Sequence, residues 1–353
     1  MKKRVLIPAL IFLIALVVFP LAIVLSLPGE DPESSNVYSE KSGFLLGTVI
    51  RLKIYGSEDP ELFNDIFKQI SEYESLLSVN IEDSQVAAVN RAAGLESVNV
   101  DSRVMDVVLQ GLEYSKLSEG RFDITIGPLV DLWHIGHEDA RIPEEAEIES
   151  VLPLIDYTSV LVDPGSEMIS LPEPGMSMDL GGIAKGYIAD RISEMLIKAG
   201  RESALINLGG NVLVVGSKPD GTPFRIGVQN PDSDRGEYLG IVSVESKSVV
   251  SSGAYERFLE VDGKTYHHIL DPFTGYPVET DIDQVTIISE RSVDGDGLST
   301  TVFTLGRDKG MALIESIEGV DAILITADKK VFLSEGLSDS FSLTDSRFTV
   351  TPL

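Results

Sequence analysis

"MSMDLGGIAKGYIADRI" (residues 176–192) predicts the end of a strand, a glycine turn and a helix. Apolar residues alternate before Asp179 and recur at helical spacing from Ile183 onward, which makes Gly181 and Gly182 the turn. A helix N-terminus presents unpaired N–H groups and a partial positive charge, and glycines let a ligand approach the backbone. The junction therefore suits a phosphate or another anion. The two best-known nucleotide-binding loops, G-x-G-x-x-G and G-x-x-x-x-G-K-[ST], are absent. The alternative interpretation is therefore a simple tight turn followed by a surface lysine.

The composition indicates a folded, acidic domain rather than a disordered tail. The chain has 353 residues with 43% hydrophobic content, enough to bury a sizeable core. Asp and Glu number 56 against 28 Lys and Arg, which gives a formal net charge of -28. Because nucleic acid and anionic membrane surfaces bind basic faces, we expect neither as a partner of the folded part. The absence of cysteine excludes disulfides, thiolate metal sites and a lipid-modified cysteine.

The beginning of the chain predicts a membrane segment. Three of the first four residues are basic, and residues 5–27 carry no charge over a length that crosses a bilayer at about 1.5 Å per residue. No small-x-small cleavage site follows, which favours an uncleaved anchor over a cleaved signal. The basic start predicts a cytoplasmic N-terminus and an extracytoplasmic domain, periplasmic or on the cell surface. We therefore expect an anchor or signal (1–28), a tether (29–42) and one domain (43–353).

The remaining patterns predict a single α+β domain of mixed β-sheets with flanking helices. Residues 44–56 alternate like one strand, and Asp59 is placed to cap the helix that follows. A second helix is expected over residues 102–117, and residues 121–133 alternate like a strand. Beyond the 176–199 region, short strands alternate with Gly, Asn and Asp turns, and two helices and a hairpin close the chain. No internal repeat is present, so one domain is the economical prediction.

Asp296 and Thr300, in "VDGDGLSTTVFTLG" (293–306), stand four residues apart at the start of a helical pattern. This spacing places both side chains on one face of the first turn. A carboxylate and a hydroxyl, with carbonyls and water, provide the oxygen ligands that Mg²⁺ prefers, and phosphate oxygens commonly complete its shell. The alternative is an ordinary helix cap, in which Asp296 accepts backbone N–H groups and Thr300 has no special part.

His268 follows a hairpin turn predicted at Asp262 and Gly263. Neighbouring residues of a strand point to opposite sides, so His267 and His268 are not expected to face the same cleft. A histidine beside a phosphorylated ligand is a candidate general base or phosphate-positioning group, although lone histidines are more often surface or core residues. Four histidines without H-E-x-x-H and without cysteine argue against a zinc site.

Seven segments, in order along the chain, resemble the ApbE-like FAD:protein FMN transferases. They are "LLGTVIRLKIY", "RFDITIGPLVDLW", "MDLGGIAKGYIAD", "ALINLGGN", "SSGAYERF", "YHHILDPFTGYP" and "DGDGLSTTVFTLG". The resemblance spans residues 44–333, nearly the whole predicted domain. It implies an ApbE-like fold that binds FAD as substrate together with Mg²⁺. It further implies transfer of FMN to a Ser or Thr of an exported or membrane redox protein, with release of AMP.

The resemblance also implies roles for individual residues. Mg²⁺ would be held by the backbone carbonyl of Ala184 and the side chains of Asp296 and Thr300. We take His268 as the candidate catalytic base or phosphate-orienting group. Asp296 is the second catalytic candidate, because an ionised carboxylate is a stronger metal ligand than the neutral Thr300 hydroxyl. FAD contacts are implied for Leu46, Arg121, Phe122, Asp123, Asp179, Lys185 and Leu270. The glycine turn would then hold FAD at a helix start, with Lys185 offsetting the charge of the diphosphate.

Two departures from the family pattern bear on the predicted reaction. Leu46 replaces a methionine of many members, a volume-conserving change. Asn80, which we include among the cofactor contacts, stands where an aromatic residue often occurs. Asparagine cannot stack on the cofactor and can hydrogen-bond water, so water would compete with the acceptor hydroxyl. Mg²⁺-dependent hydrolysis of FAD to FMN and AMP is therefore the alternative function, and a non-enzymatic flavin-binding protein is a further one.

Overall fold

The chain adopts a mixed α+β fold, as the sequence predicts. The structure is a computed structural model that describes residues 4–5, 37–234 and 236–352. The helices in these ranges are α1 (Pro60–Leu77), α2 (Gln85–Arg91), α3 (Ser102–Leu117), α4 (Gly127–Trp133), α5 (Glu145–Val151), α6 (Ala184–Lys198), α7 (Ser292–Leu305) and α8 (Arg307–Glu315). The strands in the same ranges are β1 (Arg4–Val5), β2 (Tyr38–Leu45), β3 (Thr48–Tyr55), β4 (Val98–Asn99), β5 (Leu161–Asp163), β6 (Met168–Ser170), β7 (Ala204–Leu208), β8 (Asn211–Val215), β9 (Phe224–Gln229), β10 (Tyr238–Val244), β11 (Ser248–Gly253), β12 (Phe258–Val261), β13 (Lys264–His267), β14 (Ile282–Ser289), β15 (Asp321–Thr326), β16 (Lys330–Leu333), β17 (Phe341–Leu343) and β18 (Thr349–Val350).

A nine-stranded sheet forms the middle layer, in the order β18-β16-β15-β14-β11-β8-β7-β3-β2. Its strand pairs are antiparallel apart from the parallel β16–β18 pair. Strand β8 is buried along its whole length, because its side chains enter cores on both faces. Leu213 and Val215 join the core under the helices, whereas Val212 and Val214 join a second core with the small β17-β10-β9 sheet. The helices and the small sheet therefore cover opposite faces of the large sheet.

The helical layer confirms the two helices predicted in the first part of the chain. The side chain of Asp59 caps α1 by accepting the Leu62 N–H at 3.0 Å, and Pro60 is the first helical residue. The apolar stripe of α1 is buried at Phe63, Ile66, Ile70, Tyr73 and Leu77. Helix α3 has the predicted bounds. Helix α7 is buried on nearly all sides, because it packs against α3, α6, α8, β11 and β14.

The strand predicted over residues 44–56 is confirmed over residues 48–55, which form β3, but its predicted beginning is wrong. These residues belong to the β2–β3 hairpin, which turns at Leu46 (φ 54°) and Gly47 (φ 66°). Both angles lie in the left-handed region that a two-residue hairpin turn of this kind requires. The turn was not predicted because leucine is not a residue that normally marks such a position.

The prediction of a strand over residues 121–133 is also wrong. The segment contains α4, because Pro128 supplies a backbone angle suited to the first turn of a helix. The alternating apolar residues before it have no full strand partner and make only an isolated bridge between Ile126 and Ser177. The strand predicted to end before Asp179 is not formed either, and its residues contribute only Ser177 to this bridge.

The predicted membrane segment, residues 5–27, lies outside the described residues except for Val5, which pairs with Leu259 in β12. No helix in the described part of the chain is long and apolar enough to cross a membrane. The predicted tether, residues 29–42, ends earlier than expected. Strand β2 begins at Tyr38, because the last residues of the predicted tether pair with β3 at the edge of the large sheet.

The N-terminus of α7 is capped by a carboxylate of α6. Asp190 accepts the Ser292 N–H at 2.7 Å with Oδ1 and the Val293 N–H at 3.0 Å with Oδ2. Asp296 therefore lies inside α7 and does not cap it, so the cap alternative of the sequence analysis is wrong. Burial raises the pKa of Asp190 to about 6, despite the two hydrogen bonds, which favour the charged form.

Asp190→Asn is expected to change the pH dependence of stability. The folded-state pKa of about 6 lies above the ordinary value of 3.8, so ionisation of Asp190 opposes folding progressively as the pH rises from 3.8 to 6. The free energy of unfolding of the wild type, relative to the variant, should therefore fall by up to about 3 kcal/mol between pH 4 and pH 7. Urea unfolding at both pH values measures this difference, with Asp308→Asn on the exposed surface of α8 as the charge control. An identical pH dependence of wild type and Asp190→Asn would contradict the assignment.

Candidate functional site

The 176–192 junction leads into α6 through a tight turn, as predicted. Asp179 Oδ1 accepts the Gly181 N–H at 2.6 Å, and the Asp179 N–H donates to the Ile124 carbonyl at 2.8 Å. Helix α6 begins at Ala184 without a hydrogen bond from a side-chain N-cap. The Ala184 N–H donates to the Leu180 carbonyl at 2.9 Å, whereas the Gly186 N–H, also in the first turn, needs a partner from elsewhere in the fold.

Asp296 of α7 supplies this partner, since its Oδ2 accepts the Gly186 N–H at 2.6 Å. A side chain at Gly186 would collide with the Ser292 carbonyl, and its Cβ would lie 2.7 Å from Val293 Cα. The backbones of α6 and α7 are thus in direct contact. Because Asp190 of α6 caps α7 and Asp296 of α7 caps α6, we call the arrangement the reciprocal caps.

The Asp296 carboxylate lies in the core, with 5% of the residue exposed. Asn211 Nδ2 donates to its Oδ1 at 3.0 Å, opposite the bond from Gly186 to Oδ2. Burial raises the pKa of Asp296, while the charge of Lys185 and the two hydrogen bonds act in the opposite direction. Each carboxylate oxygen has two lone pairs, so Asp296 is held in one orientation with acceptor capacity to spare.

Three further predicted residues lie close to Asp296. Thr300 follows it by one turn of α7, and the Thr300 hydroxyl makes no hydrogen bond with any other residue that the structure describes. Ala184 is the first residue of α6. The positive charge of Lys185 acts on both Asp296 and His268. The structure therefore brings a carboxylate, a hydroxyl, a helix-start backbone and an ammonium group together where α6 meets α7.

His268 is oriented by a backbone carbonyl. Its Nδ1 lies 3.2 Å from the Arg257 carbonyl, which can only accept, so Nδ1 carries the hydrogen and Nε2 keeps a free lone pair. Desolvation by the surrounding protein lowers the pKa of His268 to about 3, and the charge of Arg257 acts in the same direction. The imidazole is neutral at physiological pH and can accept a proton only through Nε2.

Two of the predicted FAD contacts lie beside the glycine turn. Phe122 is buried, and its ring approaches Gly182 so closely that an added Cβ would lie 3.0 Å from Phe122 Cε2. The guanidinium of neighbouring Arg121 lies 5.6 Å from the ring centre of Phe273, which is largely exposed. Phe122 therefore provides an aromatic surface next to the glycine turn, and the Arg121 guanidinium packs on Phe273.

Asp123 and Leu270 have structural contacts of their own. Asp123 Oδ1 accepts the N–H and the hydroxyl of Thr125, both at 2.7 Å, and Oδ2 accepts the Tyr157 N–H at 3.1 Å. Burial raises the pKa of Asp123. Leu270 is buried in a small core with Trp133. Their predicted contacts with FAD stay predictions.

Leu46 and Asn80 are not linked to Asp296 or His268 by any hydrogen bond in the described part of the chain. Leu46 occupies the β2–β3 turn and packs at the margin of the main core. Asn80 is exposed, and only its backbone N–H is bonded, to the Ser78 hydroxyl at 3.3 Å. Their predicted contacts with the cofactor therefore also stay predictions.

The sequence analysis missed the polar groups that support Asp296. Asn211 and Ser292 are buried behind the carboxylate, and Asp190 holds the start of α7. The only signal available for Asn211 was its position as a polar residue at the beginning of the apolar strand "NVLVV". Asp190 lies on the helical pattern after the glycine turn and has no local signature of a cap for another helix.

Comparison with known proteins gives a consistent assignment. A profile of the ApbE family matches residues 46–324. The chain belongs to the ApbE family. Within this family, a "FAD:protein FMN transferase" of Klebsiella pneumoniae (strain 342) is 42% identical over 316 residues, which cover 90% of this chain and 98% of the relative. A protein of the same name from Treponema pallidum (strain Nichols) is 36% identical over 327 residues, 88% of this chain and 90% of the relative.

Solved ApbE structures share the architecture. The crystal structure of the ApbE protein from Thermotoga maritima superposes with a TM-score of 0.79 at 31% identity, covering 85% of this chain and 98% of that one. The structure named "Flavin Transferase ApbE from Vibrio cholerae" gives a TM-score of 0.74 at 26% identity, covering 89% and 98%. The family membership predicted from the seven segments and the ApbE-like α+β fold are therefore confirmed.

Gly186→Ala is expected to destabilise this ApbE-family chain. In an open helix the change stabilises by about 0.5–1 kcal/mol, but here the added methyl group meets the backbone of α7. Overpacking of this kind costs about 1–3 kcal/mol, so the thermal midpoint should fall. Gly165→Ala is the matched control, because its Cβ would make only an ordinary contact 3.4 Å from Asp163 Oδ1. A thermal midpoint of Gly186→Ala at or above that of the wild type would show that α6 and α7 are not in contact as described.

Proposed function

We propose that this protein transfers the FMN part of FAD to a Ser or Thr hydroxyl of an exported or membrane redox protein and releases AMP. The observation that carries the proposal is the group formed where α6 meets α7. There, Asp296 is buried, and the Thr300 hydroxyl one turn further has no hydrogen-bond partner among the described residues. The charge of Lys185 acts both on Asp296 and on the neutral His268. The names of the relatives describe the same reaction class.

The residues at this position fit Mg²⁺. Asp296 has acceptor capacity to spare, the Thr300 hydroxyl has no partner among the described residues, and Ala184 opens α6 beside them. All three offer the hard oxygen atoms that Mg²⁺ prefers. The described residues contain no group of three His, Asp or Glu side chains suited to a metal, so this site would depend on phosphate oxygens of FAD to complete it.

The side chains have distinct parts in the proposed reaction. When bound, Mg²⁺ would offset negative charge on the diphosphate. Lys185 and the N-terminus of α6 add positive charge on the same side. The acceptor oxygen attacks the phosphorus of the FMN half and gives its proton to His268 Nε2. As the new O–P bond forms, the bond from that phosphorus to the bridging oxygen breaks, and AMP leaves with this oxygen.

The low pKa of His268 is compatible with its proposed role as the acceptor of the proton. A histidine with a pKa of about 3 is unprotonated throughout the physiological range, so Nε2 is available to receive a proton, but it is a weak base in the free protein. A negatively charged diphosphate beside the ring would favour the protonated form and strengthen the base when the substrate is bound. Arg121 and Phe122, beside the glycine turn, are proposed to contact the flavin or adenine rings.

Asp296→Ala is expected to reduce turnover at least about 100-fold while the protein remains folded. Loss of the two hydrogen bonds to Gly186 and Asn211 is partly offset by removal of a buried charge. The assay incubates protein, FAD and Mg²⁺ with a purified acceptor redox protein and separates FMN, AMP and flavin-labelled acceptor by chromatography. Asp345→Ala, which removes a partly buried carboxylate that is bonded to Asn230 and ion-paired with Arg347, is the control.

The same assay separates transfer from its alternatives. Unimpaired turnover of Asp296→Ala would contradict the metal assignment. Free FMN and AMP in equal amounts, with no labelled acceptor, would identify a hydrolase. Bound flavin without any release of AMP would identify a flavin-binding protein.

We further propose that residues 5–27 anchor the protein in the cytoplasmic membrane with its domain on the extracytoplasmic side. The charge-free run behind a basic start supports this arrangement. Val5 would then enter the bilayer, and its pairing with Leu259 would be absent in the anchored protein. We expect the full chain in the membrane fraction after carbonate extraction and a variant lacking residues 2–28 in the supernatant. Recovery of the full chain in the supernatant would contradict the anchor.

A further inference from the structure

Asp296 is hydrogen-bonded to a chain of buried side chains that no step of the proposed reaction uses. Asn211 Nδ2 donates to Asp296 Oδ1 at 3.0 Å, and Ser292 Oγ lies 2.8 Å from Asn211 Oδ1. Ser248 Oγ lies 2.9 Å from Ser292 Oγ and 3.2 Å from the Val212 carbonyl. We call Ser248, Ser292 and Asn211 the Asn211 relay.

The directions of the hydrogen bonds in the relay follow from chemistry. An ionised carboxylate only accepts, so Asn211 must present its NH₂ group to Asp296 and its carbonyl oxygen to Ser292. Ser292 must then donate to Asn211, which leaves its oxygen free to accept from Ser248. The three residues are at most 3% exposed, so water does not offer the amide an alternative partner.

The relay joins α7 to two paired strands of the large sheet, β8 and β11. Asn211 begins β8, Ser248 begins β11 and Ser292 is the first residue of α7. The same Ser292 provides an N–H for the Asp190 cap. The orientation of the Asp296 carboxylate is therefore tied to the large sheet as well as to α6.

We infer that Asn211 is a positioning residue for Asp296: by bonding Oδ1 from behind, it holds the carboxylate plane so that the remaining lone pairs face Thr300 and Lys185. The inference rests on the proposed function, because it assumes that Asp296 holds a divalent cation. Groups that orient a metal ligand typically contribute 10–100-fold to metal affinity or activity. A merely structural Asn211 would contribute only to stability.

Asn230 provides a matched control that separates positioning of Asp296 from a purely structural role. Asn230 is also buried, donates from Nδ2 to Asp345 Oδ2 at 2.9 Å and accepts the Asp232 N–H at 2.9 Å. It follows β9 in the small sheet, on the opposite face of the large sheet from α6 and α7. Asn230→Ala therefore removes a comparable buried bond from asparagine to aspartate without touching the candidate site.

The test measures metal binding directly rather than turnover alone. Mn²⁺ is titrated into the purified full-length protein, with FAD and without acceptor, and free Mn²⁺ is followed by electron paramagnetic resonance. Asn211→Ala should weaken Mn²⁺ binding about 10–100-fold, whereas Asn230→Ala should leave it within about twofold. Both variants should lower the thermal midpoint in the absence of metal. In steady-state assays, Asn211→Ala should raise the apparent KM for Mg²⁺ more than it lowers kcat.

Ser292→Ala provides a second variant if Asn211→Ala does not fold. It keeps the amide but removes the partner that holds it, so we expect a smaller loss of Mn²⁺ affinity, about 3–10-fold. Mn²⁺ affinity of Asn211→Ala within about threefold of the wild type, with a lowered thermal midpoint, would overturn the inference. If Asn211→Ala cannot be obtained, unchanged affinity of Ser292→Ala overturns it. Full Mn²⁺ affinity of Asp296→Ala would instead refute the metal assignment in the proposed function, so the two failures are distinguishable.

Discussion

The reciprocal caps of α6 and α7 are the constraint on which the candidate site depends. Each helix begins where the other presents a carboxylate: Asp296 accepts the Gly186 N–H, and Asp190 accepts two N–H groups at the start of α7. Neither carboxylate can move without leaving buried N–H groups of the other helix unpaired, at a cost of about 1–3 kcal/mol each. The exchange therefore fixes the distance between the first turns of both helices, and with it the relative positions of Ala184 and Thr300.

The same arrangement explains how an acidic protein can attract an anion. Two helix N-termini meet at the reciprocal caps, and the partial positive charges of their unpaired N–H groups would repel each other without negative charge nearby. Asp190 and Asp296 provide that charge at the price of burial, which raises the pKa of both. Lys185 adds a full positive charge on the open side. With a net charge of -28, recognition of a diphosphate would have to come from such local donors rather than from the average surface.

Features with local causes were predictable from the sequence, and features with distant causes were not. Asp59 before Pro60 marks the start of α1, the turn at Asp262 and Gly263 forms between β12 and β13, and the glycine pair precedes α6 as expected. The hairpin turn at Leu46 was missed because a left-handed leucine has no signature in the sequence. Helix α4 was missed because the alternating apolar residues before it resemble a strand. In the structure these residues make only an isolated bridge to Ser177.

The candidate site shows the same difference between features with local causes and features with distant causes. Spacing alone put Asp296 and Thr300 on one helical face but left open whether Asp296 was a cap or a ligand. Asp190, which lies 102 residues from Ser292 in sequence, takes the place of the cap, and Asn211, which lies 85 residues from Asp296, binds the Asp296 carboxylate. Both contacts exist only because the sheet order sets β8 beside β11 and the α6–α7 pair against them. The local sequence pattern thus identifies the candidate groups. The topology determines which backbone N–H groups need a carboxylate as partner. Asp296 is therefore held in one orientation and keeps unused lone pairs.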